Sequence, residues 1–92
     1  MNLMFYVYIL HSKKDGGLYI GYTKDLSRRI SEHKFGTCLS TKDRLPIKLI
    51  YYEAFTSKKD AKSREKYLKS GYGRKQLRSI LKNTFSNLED EM

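Results

Sequence analysis

The sequence is short of several things that organise other small proteins. A single cysteine, Cys38, stands among its 92 residues, so no internal disulfide can form, and with two histidines it offers no zinc-binding spacing. There is one proline, no tryptophan, no Pro- or Ser-rich linker, no internal repeat and no low-complexity tract. No apolar run approaches the roughly 20 residues of a membrane span, and no N-terminal stretch has signal-peptide character. These absences lead us to expect a protein of a reducing interior, the cytoplasm by default, with no membrane partner. Gly16-Gly17 and Gly71-Tyr72-Gly73 do not lie between a strand and a helix in a GxGxxG or GxxxxGK string, so no nucleotide cofactor is expected.

Acidic residues are also scarce. Ten Asp and Glu face 19 Lys and Arg, a net charge of +9. The excess is local: Ser57 to Lys82 holds ten basic residues against Asp60 and Glu65, whereas Asn83 to Met92 holds three acids and no base. A basic surface of this kind suits nucleic acid or acidic lipid, and also fits a merely solvated face. With 39% apolar residues, eight Tyr and four Phe, the chain has enough material for one core without metal or disulfide staples.

Aromatic and β-branched residues make Phe5 to Ser12 (FYVYILHS) and Leu18 to Thr23 (LYIGYT) a β-hairpin around Asp15-Gly16-Gly17. Alternation puts Tyr6 and Tyr8 on one face of the first strand, Tyr19 and Gly21 on one face of the second, and Ile20 and Tyr22 on the other. Asp25 caps a short helix with Leu26, Ile30 and His33 at helical spacing, ended by Gly36. Thr37 to Pro46 is polar and aperiodic, a loop free to move, and Ile47 to Phe55 (IKLIYYEAF) is a third strand. Ser57 opens a second helix that runs to about Lys69 and stops at Gly71 and Gly73. A third helix carries a Leu77, Ile80 and Leu81 stripe. The order β-β-α-β-α-α gives an α+β fold, a small three-stranded mixed or antiparallel sheet flanked by helices, with one domain over residues 1–85 and an acidic flexible tail over 86–92.

Three features resist a purely structural account. The stripe from Ala61 to Leu68 passes through Glu65, and a carboxylate on an apolar face must meet a cation, a metal ion or a donor network; a salt bridge to a lysine or arginine of the sheet would serve. Arg29 and His33, four residues apart, can converge on one target such as a phosphate, or either can simply belong to a solvated helix face. Gly21 within a strand marks either a bulge or a close approach by ligand or backbone.

Tyr6-Val7-Tyr8, Tyr19-Ile20-Gly21, Arg29, His33 and Glu65, in this order and spacing from Phe5 to Lys82, resemble the GIY-YIG nuclease superfamily. The likeness is to its small stand-alone branch, whose first motif is commonly YVY, and to the N-terminal endonuclease module of the bacterial excision-repair incision subunit. It implies a metal-dependent endonuclease acting on DNA in repair or recombination, structure-selective or non-specific. By position, Glu65 would ligate Mg²⁺ or Mn²⁺, Arg29 would clamp the phosphate, and Tyr8, Tyr19 and His33 would orient or deprotonate water. Tyr6, Gly21, Lys69, Arg74 and Lys75 are the expected substrate contacts. Departures are Tyr6 at the Gly of the family name, Tyr22 where the repair subunits carry Lys, and Leu77 where several nucleases carry Asn. The alternatives are a nucleic-acid-binding module without turnover and protein interaction through exposed tyrosines.

Overall fold

Three strands form from the aromatic and β-branched runs: β1 (Phe5–Ser12), β2 (Leu18–Thr23) and β3 (Ile47–Phe55). The computed structural model describes residues 4–91; residues 1–3 of the expected domain and Met92 of the expected tail lie outside the described residues. Both neighbours pair with β1 antiparallel, in the order β2-β1-β3, so β1 is central and β2 and β3 are edges. Gly16, at φ +73°, turns the hairpin as its sequence requires. Among the described residues four helices complete the α+β fold: α1 (Leu26–Lys34), α2 (Lys58–Lys69), α3 (Gly71–Ile80) and α4 (Lys82–Glu91). No helix among the described residues is long and apolar enough to cross a membrane.

Strand alternation splits the core into two layers. Val7, Ile9 and Ile20 face Ala61, Leu68, Leu77 and Leu81 of the α2–α3 side. Tyr8 and Leu10 face the other way, against Ile30 of α1 and Ile47. Asp25 caps α1 by accepting from the Arg28 amide, and Ser57 caps α2 by accepting from Asp60. An ion pair sets α2 on the sheet: Arg64 reaches Glu53 of β3 with two nitrogens at 2.8 and 3.0 Å, and the Tyr51 hydroxyl donates to the same carboxylate at 2.6 Å.

The structure departs from the sequence reading at several places. Gly71 and Gly73 open α3 rather than only ending α2, with Ser70 capping through its hydroxyl to the Gly73 amide. A Cβ at Gly73 would run into the Tyr67 carbonyl and Leu68 Cα, so this glycine lets the two helices close on each other. Ile80 is half exposed and leaves the expected stripe, which continues instead through Leu77 and Leu81. Residues 86–91, expected as tail, belong to α4, whose Leu88 is buried and whose Phe85 packs on the core. Leu81, Phe85 and Leu88 recur at i, i+4 and i+7, and this stripe outweighs the polar composition around it.

Thr37 to Pro46 is a fastened loop rather than a free one. It carries a single 3₁₀ turn, Lys42–Arg44, and is tied to the hairpin turn at several points. Arg44 pairs with Asp15 at 2.8 and 3.2 Å, the Ser12 hydroxyl donates to the Arg44 carbonyl at 2.6 Å, and the Lys13 amide donates to Pro46 at 2.9 Å. The Arg44 guanidinium holds the Asp15 carboxyl well below the usual carboxylate range.

Candidate active site

The face under α1 gathers four of the residues singled out in the sequence. Tyr8 comes from the central strand, Tyr19 from its neighbour, and Arg29 and His33 from successive turns of α1. The Tyr8 hydroxyl and His33 Nε2 are 2.9 Å apart. Ring centroids of Tyr8 and Tyr19 are 6.3 Å apart, and the His33 ring lies 5.6 Å from the first and 5.1 Å from the second. Arg29 interacts with the Tyr8 phenol and pairs with Glu32 at 3.0 Å; both partners hold its guanidinium charged against burial.

Burial pushes the Tyr8 phenol up to about 12, with the Arg29 hydrogen bond opposing, so Tyr8 is protonated at neutral pH. Burial, and next the Arg29 charge, push the His33 imidazole below its usual value while Glu32 opposes, which leaves a neutral ring with one N–H and one lone pair. On its far side His33 Nδ1 lies 2.6 Å from the Thr41 hydroxyl. Thr41 and Glu32 carry no marker in the pattern of motifs. Glu32 is readable as the i+3 partner of Arg29, but Thr41 arrives from an aperiodic loop through a tertiary contact that no periodicity announces.

Gly21 is not a bulge, and the group that approaches it closely is the Tyr8 side chain. It stands opposite Tyr8 in register, and a Cβ there would fall on the Tyr8 ring and hydroxyl. Among the described residues the irregularity of the ladder lies elsewhere, between Ile9 and Leu10 against β3. Tyr6 shares the face of Tyr8 but stands apart from His33: it meets Tyr52 edge-on at 6.0 Å and lines a cleft of about 700 Å³ with Ser27, Ser31 and Lys34. Those helix positions point away from Arg29, so the cleft and the Tyr8 group flank α1 on opposite sides.

Glu65 sits on α2, over the opposite face of the sheet from α1. Its side chain is only 16% exposed, and its partners are not basic residues of the sheet but lysines of its own helix, Lys69 at 3.0 Å and Lys62 at 3.7 Å. Among the described residues no hydrogen bond, ion pair or ring contact joins Glu65 to the Tyr8 group. Lys69 ends α2 and Arg74 and Lys75 lie in the first half of α3, with Arg74 Nε donating to the Lys69 carbonyl at 3.4 Å. No three His, Cys, Asp or Glu side chains gather among the described residues. Glu65 is the carboxylate that the resemblance assigns to a divalent cation; with water and phosphate oxygens it would offer the oxygen donors a hard cation takes, in place of its present partners Lys62 and Lys69.

The family model of the GIY-YIG catalytic domain matches residues 4–78. The chain belongs to the GIY-YIG family. This makes it a member of a nuclease family whose substrates are nucleic acids and whose enzymes generally use divalent metals. Within the GIY-YIG family it is similar to a UPF0213 protein of Clostridium perfringens, 48% identical over 67 residues that cover 72% of this chain and 71% of that one. A UPF0213 protein of Streptococcus pneumoniae is 48% identical over 65 residues, 70% of this chain and 65% of the relative's length. The solution NMR structure of a UPF0213 protein from Bacillus halodurans shares the fold, with a TM-score of 0.54, 41% identity and 84% of each chain covered.

Proposed function

We propose that this GIY-YIG protein is a metal-dependent endonuclease that hydrolyses phosphodiester bonds of DNA, structure-selectively or without sequence preference, in repair or recombination in the cytoplasm. The observation that carries this reading is the 2.9 Å contact between the Tyr8 hydroxyl and His33 Nε2, with Arg29 one turn before His33 on the same helix supplying the cation that faces the phenol.

Arg29 would bind the scissile phosphate and stabilise the charge that builds on its oxygens in the transition state. Tyr8 and His33 would act as one base: water gives a proton to the Tyr8 oxygen while Tyr8 passes its own to His33 Nε2, so hydroxide forms, Tyr8 remains a phenol and His33 becomes imidazolium. A phenol pushed up to about 12 is no obstacle in such a relay, because phenolate never accumulates. Tyr19 packs on His33 and would hold its ring plane. A divalent ion at Glu65 would supply Lewis-acid polarisation of the phosphate and a more acidic bound water. As an edge strand, β2 would let a DNA backbone crossing it approach both α1 and α2, where Lys69, Arg74 and Lys75 provide sequence-independent phosphate contacts.

The second reading, a nucleic-acid-binding module without turnover, is favoured by one observation: each Glu65 oxygen already faces a lysine. A labelled panel of duplex, single strand, flap and junction, with Mg²⁺ or Mn²⁺ and with Glu65→Ala purified alongside, separates the two. Cutting by the parent alone supports the nuclease; salt-sensitive binding by both without cutting supports the module.

A further inference from the structure

Thr41 is fully buried, and its hydroxyl meets His33 on the side away from Tyr8. We infer that Thr41 is a positioning residue that holds His33 in the Nδ1–H tautomer by accepting that proton, leaving Nε2 free to take the proton of Tyr8. This rests on the base reading of Tyr8 and His33 given above.

The argument is one of counting protons. Thr41, neutral His33 and Tyr8 own three polar hydrogens and share two hydrogen bonds, so the tautomer decides which hydroxyl donates to the ring and which accepts, and the third hydrogen stays outside the two bonds. Arg29 can only donate to the Tyr8 oxygen. If Nε2 carried the hydrogen, His33 would donate there too, both lone pairs of Tyr8 would be taken, and no water could hand it a proton. With the hydrogen on Nδ1 and Thr41 accepting, Tyr8 donates to Nε2, accepts from Arg29 and keeps one lone pair for water. Such fixing of one ring nitrogen by the partner of the other is how histidine sites set their tautomer.

Thr41 is also held firmly enough for the task. The Arg44 amide donates to the Thr41 carbonyl at 2.9 Å, and Arg44 is the residue that the Asp15 carboxylate and the Ser12 hydroxyl fasten to the hairpin. Ser12 ends the same strand that carries Tyr8. One strand thus places the phenol directly and, through the fastened loop, the hydroxyl on the other side of the imidazole.

The test is ¹⁵N NMR of the His33 ring nitrogens in the parent, Thr41→Ser and Thr41→Val, with single-turnover cleavage measured beside it. The parent should show Nδ1–H, and Thr41→Ser should keep that tautomer and most of the rate. Thr41→Val should move the ring toward Nε2–H, since a buried N–H without an acceptor is the costlier orphan, and cleavage should fall about 10–100-fold. An Nε2–H tautomer in the parent overturns the inference without any variant, as does a folded Thr41→Val with the parental tautomer. If no form cleaves any substrate, the nuclease reading fails, while the ring-nitrogen shifts still decide whether Thr41 sets the tautomer.

Discussion

Gly21 lies opposite Tyr8 across the β1–β2 pair, and the Tyr8 ring and hydroxyl occupy the space that a side chain at Gly21 would fill. The glycine of the second motif therefore serves the tyrosine of the first, and it seats the phenol against His33. Gly21→Ala should displace Tyr8, destabilise the fold by about 1–3 kcal/mol and remove cleavage. Thermal unfolding together with the substrate panel checks this; full activity in Gly21→Ala would mean that the seat of Tyr8 is unimportant.

Arg29 is the cation of the Tyr8 group, held charged by Tyr8 and Glu32. Arg29→Ala should lower kcat by about 10²–10³-fold, the scale of losing one preorganised donor, and leave the melting temperature nearly unchanged. Lysine keeps the charge but not the planar fork, so Arg29→Lys should recover only part of the rate. Full rescue by lysine would show that charge alone is used.

Stability should fall with acid for a reason located at His33. Its folded-state pKa is depressed by burial and then by Arg29, so below about pH 6.5 the unfolded chain takes up a proton that the folded chain refuses. The contribution of the neutral ring is complete above that pH and is lost as pH drops through it. His33→Gln should flatten this part of the melting curve against pH relative to the parent, and an identical slope in both proteins would rule the assignment out.

Leu88, in the stretch whose composition reads as tail, is buried on α4. Leu88→Ala should cost about 2–3 kcal/mol in denaturant unfolding, as for a core leucine. A change within error would place α4 outside the cooperative unit.

Much of the fold is legible because it is written in local patterns. The three strands, the Asp25 and Ser57 caps and the Gly16 turn follow from alternation, capping chemistry and backbone freedom. The Tyr8, Tyr19, Arg29 and His33 group is legible as motif order, and the strand pairing and helix turn bring it together. What escapes is of two kinds. The stripe that runs from Leu81, at the end of α3, to Phe85 and Leu88 of α4 is present in the sequence but hidden among Asn, Ser and acids, whose helix propensity is overridden by packing. Thr41 and the Asp15–Arg44 tie depend on tertiary placement, which no spacing rule reports, whereas Lys62 and Lys69 stand at i,i+3 and i,i+4 spacing from Glu65 and are legible as its partners.

The central claim is that Glu65 and the Arg29–Tyr8–His33 group work together on one phosphodiester. The most direct measurement is Mg²⁺-dependent cleavage of the labelled flap, junction, duplex and single-strand panel by the parent, by Glu65→Gln and by Arg29→Ala, with DNA binding at low salt recorded for each. The account predicts cutting by the parent alone and retained binding by Glu65→Gln. Cutting that persists in either variant, or a parent that binds every substrate and cuts none, would contradict it.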